Sequence, residues 1–300
     1  MTGRSSKPES TEHLVIERLG VVGCGLMGSG IAEIGAKAAL DVVVREVDGD
    51  ALDAGRHRLE SSLRHAVSRG KLSEREHAEA LDRLRFTTDL GEMADRQLVI
   101  EAVTESEPAK LEVFATLDKV VSSPDAILAS NTSAIPIMRL AMATHRPRQV
   151  VGMHFFSPVP VLKLVELVPS LLTSDVTVAR ARAFAEDVLN KRVICSKDRA
   201  GFVVNALLIP YIVAAIRMVE SGFASVEDVD AGMVLGCNHP MGPLSLADFI
   251  GLDTTRAAAQ SLYDEFKEPL YAVPPLLSRM VDGGLLGRKT GRGFYRYDDD

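Results

Sequence analysis

Cysteine is scarce in this chain. Cys24, Cys195 and Cys237 are far apart and odd in number, which argues against both a disulfide framework and a CxxC metal site, so no metal is expected. Buried, inert thiols in a reducing compartment are the expectation. Basic residues are not in excess: 34 Lys and Arg face 41 Asp and Glu, for a net charge of −7. That balance argues against a general nucleic-acid-binding surface and against a polybasic membrane anchor. No stretch reaches the roughly 18 uninterrupted apolar residues of a membrane span. The first dozen residues are polar and lack the apolar centre of a signal peptide, so residues 1–13 are expected to be a disordered tail of a cytoplasmic protein. At about 150 residues per domain, 300 residues suggest two domains with ample core.

What is present is organised around residues 18–32, RLGVVGCGLMGSGIA. Leu19 to Val22 read as a buried strand, Gly23-Cys24-Gly25-Leu26-Met27-Gly28 follows as G-x-G-x-x-G, and small residues over 29–38 suit a helix packed closely on a sheet. In that motif Gly23 permits a sharp turn, Gly25 lets the backbone approach a pyrophosphate, and Gly28 lets helix and strand pack closely. The helix start presents free N–H groups and a positive dipole end. A second strand over 40–44 leads to Glu46, 18 positions after Gly28, where a ribose-binding carboxylate is expected. A dinucleotide is therefore the expected cofactor.

Residues 50–69 carry Leu59, Leu63, Ala66 and Val67 at helical spacing, and Ser73 with Glu76 forms a capping box that starts a second helix over 74–84. On this helical hairpin Arg56, Arg58, Arg64, Arg69 and Lys71 crowd together. Any one of them is most simply a solvated side chain, while the group suits a polyanionic ligand. Further strands over 97–103, 126–129 and 150–154 end in polar residues, including Ser130 to Ser133 and His154, and a strand-like run over 163–168 contains Glu166. Strands and helices alternate, which gives an α/β, doubly wound Rossmann-type, mainly parallel sheet with a helical hairpin insertion over residues 14–199. From residue 200 onward the chain reads as an all-helical C-terminal domain, with helices over 203–221, 226–235, 245–266 and 274–282. The segment 203–219 is apolar around most of its circumference, which calls for burial between domains or subunits. The second domain is expected to complete the site and to support a homodimer. His154 and Glu166 suit a general base and the carboxylate that orients it, as the oxidation of an alcohol by a nicotinamide requires.

The blocks GCGLMGSGIA, IEAVTESEPAK, LASNTSAIPI, GMHFFSPVPVLKLVEL, GFVVNALLIPY, HPMGPLSLADFIGLD and GRKTGRGFYRYD resemble, in order and spacing, those of the 3-hydroxyacyl-CoA dehydrogenase family, most nearly its free-standing bacterial 3-hydroxybutyryl-CoA members. The resemblance spans residues 17–297 and implies NAD-dependent interconversion of a short-chain (S)-3-hydroxyacyl-CoA, 3-hydroxybutyryl-CoA above all, and the 3-ketoacyl-CoA. It places His154 on the catalytic base, Glu166 on its carboxylate partner, Ser133 on a contact to substrate and nicotinamide, and Asn205 on a substrate contact. It also places Glu46 on the ribose ligand, Glu105, Lys110, Ser157 and Lys289 on cofactor contacts, and Ser62 and Arg69 on contacts to coenzyme A. Three positions depart from the family pattern. Ser157 stands where asparagine is usual, which shortens one cofactor-side contact or makes it water-mediated. Ala134 replaces a second serine. Glu46 stands for the usual aspartate and still favours NAD, whereas Arg45 beside it suits NADP. Other readings on the same fold are a dehydrogenase of a free hydroxy or sugar acid, as in the gulonate branch, and a crystallin-like dinucleotide-binding protein without turnover.

Overall fold

The computed structural model describes residues 15–297, and the tail expected over 1–13 lies outside them. The chain divides into two compact units, the first ending at Asp198 and the second beginning at Arg199.

Among the described residues, eight strands of the first unit form one sheet in the order β3-β2-β1-β4-β5-β6-β7-β8. β1 (Arg18–Val22) has Leu19, Val21 and Val22 fully buried, as a central parallel strand covered on both faces requires. α1 (Leu26–Lys37) lies against it on small residues: a Cβ added at Gly35 would come within 2.7 Å of the Leu19 side chain. β2 (Asp41–Arg45) follows and pairs in parallel with β1.

The helical hairpin is then inserted as α2 (Gly49–Ser68) and α3 (Glu74–Asp82). Asp48 caps α2 by accepting from Ala51 N at 2.8 Å. Ser73 and Glu76 form the expected capping box on α3, with Ser73 Oγ accepting from Glu76 N and Glu76 Oε2 accepting from Ser73 N. The second helix stops at Asp82 rather than 84, because β3 (Leu84–Thr87) takes the next residues as an edge strand parallel to β2. Backbone pairing overrides a helical pattern here.

β4 (Leu98–Glu101), α4 (Glu107–Val120), β5 (Ile127–Ser130), α5 (Ile137–Met142) and β6 (Val150–Phe155) extend the parallel sheet on the other side of β1. The strand order therefore reverses between β1 and β4. At such a switch point the crevice beyond the carboxyl ends of the strands is open to ligand. The alternation of strand and helix then breaks: β6 is followed directly by β7 (Leu164–Pro169), which runs antiparallel to it. α6 (Asp175–Ala183) and β8 (Arg192–Cys195), parallel to β7, complete the unit.

The second unit holds α7 (Val204–Glu220), α8 (Val226–Cys237), α9 (Pro243–Ile250), α10 (Leu252–Phe266) and α11 (Pro275–Asp282). The single helix expected over 245–266 is two, because Gly251 at φ +103° breaks it. α7 buries Ile209, Ile212, Val213, Ala215 and Ile216, whereas Leu207 remains 72% exposed. Two of the cysteines also differ from expectation. Cys24 is buried, but Cys195 and Cys237 are exposed, and all three are free.

Candidate active site

The glycine turn after β1 is shaped by backbone crowding. Gly23 sits at φ +95°, and a Cβ there would lie 2.6 Å from Ala102 O, beyond the end of β4. At Gly28 a Cβ would come within 1.8 Å of Gly23 O. At Gly25 nothing lies within 4 Å. Two glycines thus let the chain close on itself, and the third leaves space above the helix start. Gly25 is also the N-cap of α1, with no side-chain cap bond and no acidic residue in the first turn. Amides aimed into open space at a positive helix end are the donor set a pyrophosphate needs, so these residues fit a dinucleotide. Leu26 is exposed beside the turn, and Met27 packs on the core below.

Glu46, one residue past β2, turns its carboxylate to this loop and accepts from Cys24 N, while its other oxygen accepts from Val47 N at 3.0 Å. Arg58 of α2 donates to Cys24 O at 2.7 Å. The residue between the first two glycines is therefore gripped from both sides. Its thiol is pushed up to about 12 by burial and by the charge of Glu46, against the opposing pull of Arg58. Arg58 gave no signal in sequence beyond its membership of a basic cluster. Two of its neighbours in that cluster are engaged too, with Arg56 stacked 4.7 Å over the Phe86 ring and Arg64 near Glu60. Arg45 donates to Thr88 O at 3.2 Å.

Across the switch point, the ends of β4, β5 and β6 carry a second constellation. The antiparallel register sets His154 directly opposite Glu166, and His154 Nδ1 lies 2.7 Å from Glu166 Oε2. Glu166 is fully buried and His154 nearly so, with the Phe156 ring 4.5 Å from the imidazole. A carboxylate on Nδ1 fixes the orientation and tautomer of an imidazole. Asn131 Oδ1 accepts from Phe155 N at 2.9 Å and so ties the loop after β5 to the strand that bears His154.

That loop is anchored from below. Glu105 accepts from Thr132 Oγ1 at 2.5 Å and from Ser133 N at 2.9 Å, and Ser133 Oγ lies 3.3 Å from the same oxygen. Lys110 is 1% exposed, too deep to reach a ligand freely, and its ammonium lies 2.6 Å from Glu101 and 3.2 Å from Glu105. Burial is the largest influence on both carboxyls. It raises Glu101, whereas at Glu105 the Lys110 charge and the donors Thr132 and Ser133 outweigh it and lower the pKa. Asn131 belongs to the polar run Ser130 to Ser133 marked in the sequence, whereas Glu101 was not singled out there. The signal for Glu101 was an acidic residue closing an apolar strand.

The remaining predicted residues are placed as follows. Ser157 is exposed, at a cis peptide bond to Pro158. Ser62 lies on α2 beside buried Glu33 of α1, whose carboxyl is pushed up by burial, an effect the Ser62 hydroxyl partly offsets, and Arg69 is exposed at the C-cap of α2. In the second unit Asn205 is half-buried in the first turn of α7, and Lys289 lies 2.6 Å from each carboxylate oxygen of Asp253. No group of three His, Cys, Asp or Glu among the described residues could hold a metal ion.

A phosphate-ready helix start and a carboxylate-oriented imidazole in one α/β unit are the apparatus of a nicotinamide-dependent dehydrogenase. The chain belongs to the 3-hydroxyacyl-CoA dehydrogenase family: residues 18–199 match the NAD-binding domain of that family and 201–297 its C-terminal domain. It is 59% identical over 282 residues to a 3-hydroxybutyryl-CoA dehydrogenase of Mycobacterium tuberculosis, covering 94% of this chain and 99% of that protein. The crystal structure of M. tuberculosis FadB2 superposes with a TM-score of 0.93 at 59% identity, over 94% of this chain and 99% of that one. The (S)-3-hydroxybutyryl-CoA dehydrogenase PaaH1 of Ralstonia eutropha superposes with a TM-score of 0.90 at 44% identity, over 95% and 100%.

Proposed function

We propose that this protein interconverts (S)-3-hydroxybutyryl-CoA and acetoacetyl-CoA with NAD. The observation that carries the reading is the buried His154–Glu166 pair at 2.7 Å in a chain of this family. Bound NAD supplies the hydride acceptor. The N–H groups at the start of α1 hold its pyrophosphate, and Glu46 holds the adenosine ribose and repels a 2′-phosphate. In the oxidative direction His154 Nε2 takes the 3-hydroxyl proton, and Glu166 stabilises the imidazolium that results. Ser133 positions the substrate beside the imidazole, and Asn205 contributes a further substrate contact. Lys110 serves the cofactor side through Glu105, while Ser157 and Lys289 add contacts there. Arg69 and Ser62 are the coenzyme A contacts on the hairpin.

The protein acts in the cytoplasm, a reading supported by its bacterial relatives; no helix among the described residues is long and apolar enough to cross a membrane. It acts as a homodimer joined through the helical unit, a reading supported by the exposure of the apolar side chains Leu207 and Met218 on α7. Light scattering on the purified protein tests that assembly, and a monomer mass overturns it.

The decisive assay follows the ultraviolet absorbance of the reduced nicotinamide with acetoacetyl-CoA, using NADH and NADPH in parallel. Oxidation of NADH by acetoacetyl-CoA and not by free acetoacetate is expected. A preference for NADPH would make Arg45, not Glu46, the cofactor selector. Turnover of free hydroxy acids without coenzyme A would overturn the substrate assignment.

A further inference from the structure

Glu101 has no place in the mechanism above, yet it is fully buried where β4 meets the switch point. The hydrogen-bond partners of its carboxylate are all donors. Lys110 Nζ donates at 2.6 Å and Val103 N at 2.7 Å to one oxygen, and Ser130 Oγ donates at 2.6 Å to the other. The Ser130 and Lys110 contacts continue toward Ser133, each along its own arm. Ser130 Oγ, its proton committed to Glu101, accepts from Thr132 N at 3.1 Å. Lys110, held by Glu101, lies 3.2 Å from Glu105, the carboxylate that accepts from Ser133 N and Thr132 Oγ1. Thr132 Oγ1 in turn accepts from Ala134 N and Ile135 N, so the turn after β5 is bonded at successive residues.

We infer that Glu101 is a positioning residue that holds Ser133 in its working place from both sides, through Ser130–Thr132 on one arm and Lys110–Glu105 on the other. The inference rests on the role proposed above for Ser133. It requires a carboxylate at 101 and not merely a polar group of that shape. An amide has one acceptor and one donor end. If its oxygen faces Lys110 and Val103 N, its NH₂ confronts a Ser130 hydroxyl whose proton then has no acceptor there. If it is turned round, the NH₂ meets two donors. Buried polar networks satisfied only in part lose their fixed geometry, and displacement of a substrate-positioning group by about 1 Å costs about 100-fold in rate.

The test uses the full-length enzyme with acetoacetyl-CoA and NADH, NADH binding being followed separately by fluorescence titration. Glu101→Gln is expected to lower kcat by about 100-fold with NADH affinity near that of the wild type. Glu101→Gln combined with Ser133→Ala is expected to be no slower than Ser133→Ala alone, since a residue that acts through Ser133 has nothing left to act on. Ser130→Ala, a smaller lesion that leaves the Glu101–Lys110 pair intact, cuts one arm only; it is expected to lower kcat by about tenfold and to show the same non-additivity with Ser133→Ala. Losses that multiply in the double variants, or a folded Glu101→Gln or Ser130→Ala enzyme with wild-type kcat, overturn the inference. Should Glu101→Gln not fold, the Ser130→Ala pair decides by the same criterion. A wild-type enzyme inert toward acetoacetyl-CoA, or a Ser133→Ala variant with full activity, fails the underlying functional reading instead.

Discussion

Both units bury carboxylates, and they do so for different ends. In the helical unit Asp230 accepts from Leu244 N, Ser245 N, Ser245 Oγ and Tyr295 OH, and so holds the start of α9 to the C-terminal segment. Asp248 likewise accepts from Phe294 N, Tyr295 N and Tyr297 OH. Their partners are groups of the fold itself, and none of these bonds is to a base. In the α/β unit Glu166 faces the His154 imidazole, the base of the proposed reaction, and Glu101 and Glu105 share an ammonium beneath a polar turn. A buried charge by itself therefore does not mark a site. What distinguishes the two units is whether the partner can move a proton or position a group that meets ligand.

The sharpest way to break this comparison is at the pair itself. Replacing His154 by Gln is expected to reduce kcat by about 10²–10⁴-fold while NADH binding, followed by fluorescence, persists. Activity within tenfold of the wild type would remove the imidazole from proton transfer. Glu166→Gln should cost somewhat less, about 100-fold in kcat, with little change in the cofactor titration, because the imidazole remains but loses the anion that orients it.

The contrasting lesion is Asp230→Ala in the helical unit. It strands donors that the carboxylate had satisfied, so a stability loss of roughly 3 kcal/mol is expected in denaturant titrations, with turnover per folded molecule unchanged. A fall in kcat without a fall in stability would erase the distinction between the two kinds of buried carboxylate. The glycine loop offers a gentler probe. Gly25→Ala meets no atom within 4 Å in the protein, so the fold should be kept. The methyl enters the space assigned to pyrophosphate, and NADH affinity should fall about tenfold, ~1.4 kcal/mol. Unaltered affinity would place the phosphates elsewhere.

A further test concerns Cys24, where no effect is expected near neutral pH. Its thiol is raised from 9.0 to about 12 in the folded chain, so between those values the native state keeps a proton that the unfolded state has released. The stability it contributes is present in full below about pH 9 and declines as pH rises toward about 12, by at most ~1.4 kcal/mol per pH unit. Comparing wild type with Cys24→Ala in alkaline denaturant titrations isolates that slope. Parallel curves would show that the thiol is not confined as described.

The glycine loop and its acidic partner were legible because their determinants are local: strand, turn and helix start are contiguous, and Glu46 follows on the next strand. The capping box at Ser73 was legible for the same reason. His154 and Glu166 could be paired as residues twelve apart on successive strands, but their meeting depends on β6 and β7 running antiparallel without a helix between them. The alternating pattern pointed the other way. The break at Gly251 went unread because the apolar periodicity continues through it, and only the positive φ reveals where one helix ends and the next begins.

By itself the sequence determined the class of the fold, the place of the dinucleotide loop and the imidazole with its carboxylate, since periodicity, turn chemistry and residue type act over a few neighbours. Only the tertiary structure decided what lies behind them. Arg58 reaches Cys24 across 34 residues, Ser130 reaches Glu101 across 29, and Asn131 reaches Phe155 across 24. Such partners are chosen by sheet order and strand register, which emerge when the whole core packs and which no short stretch of chain encodes.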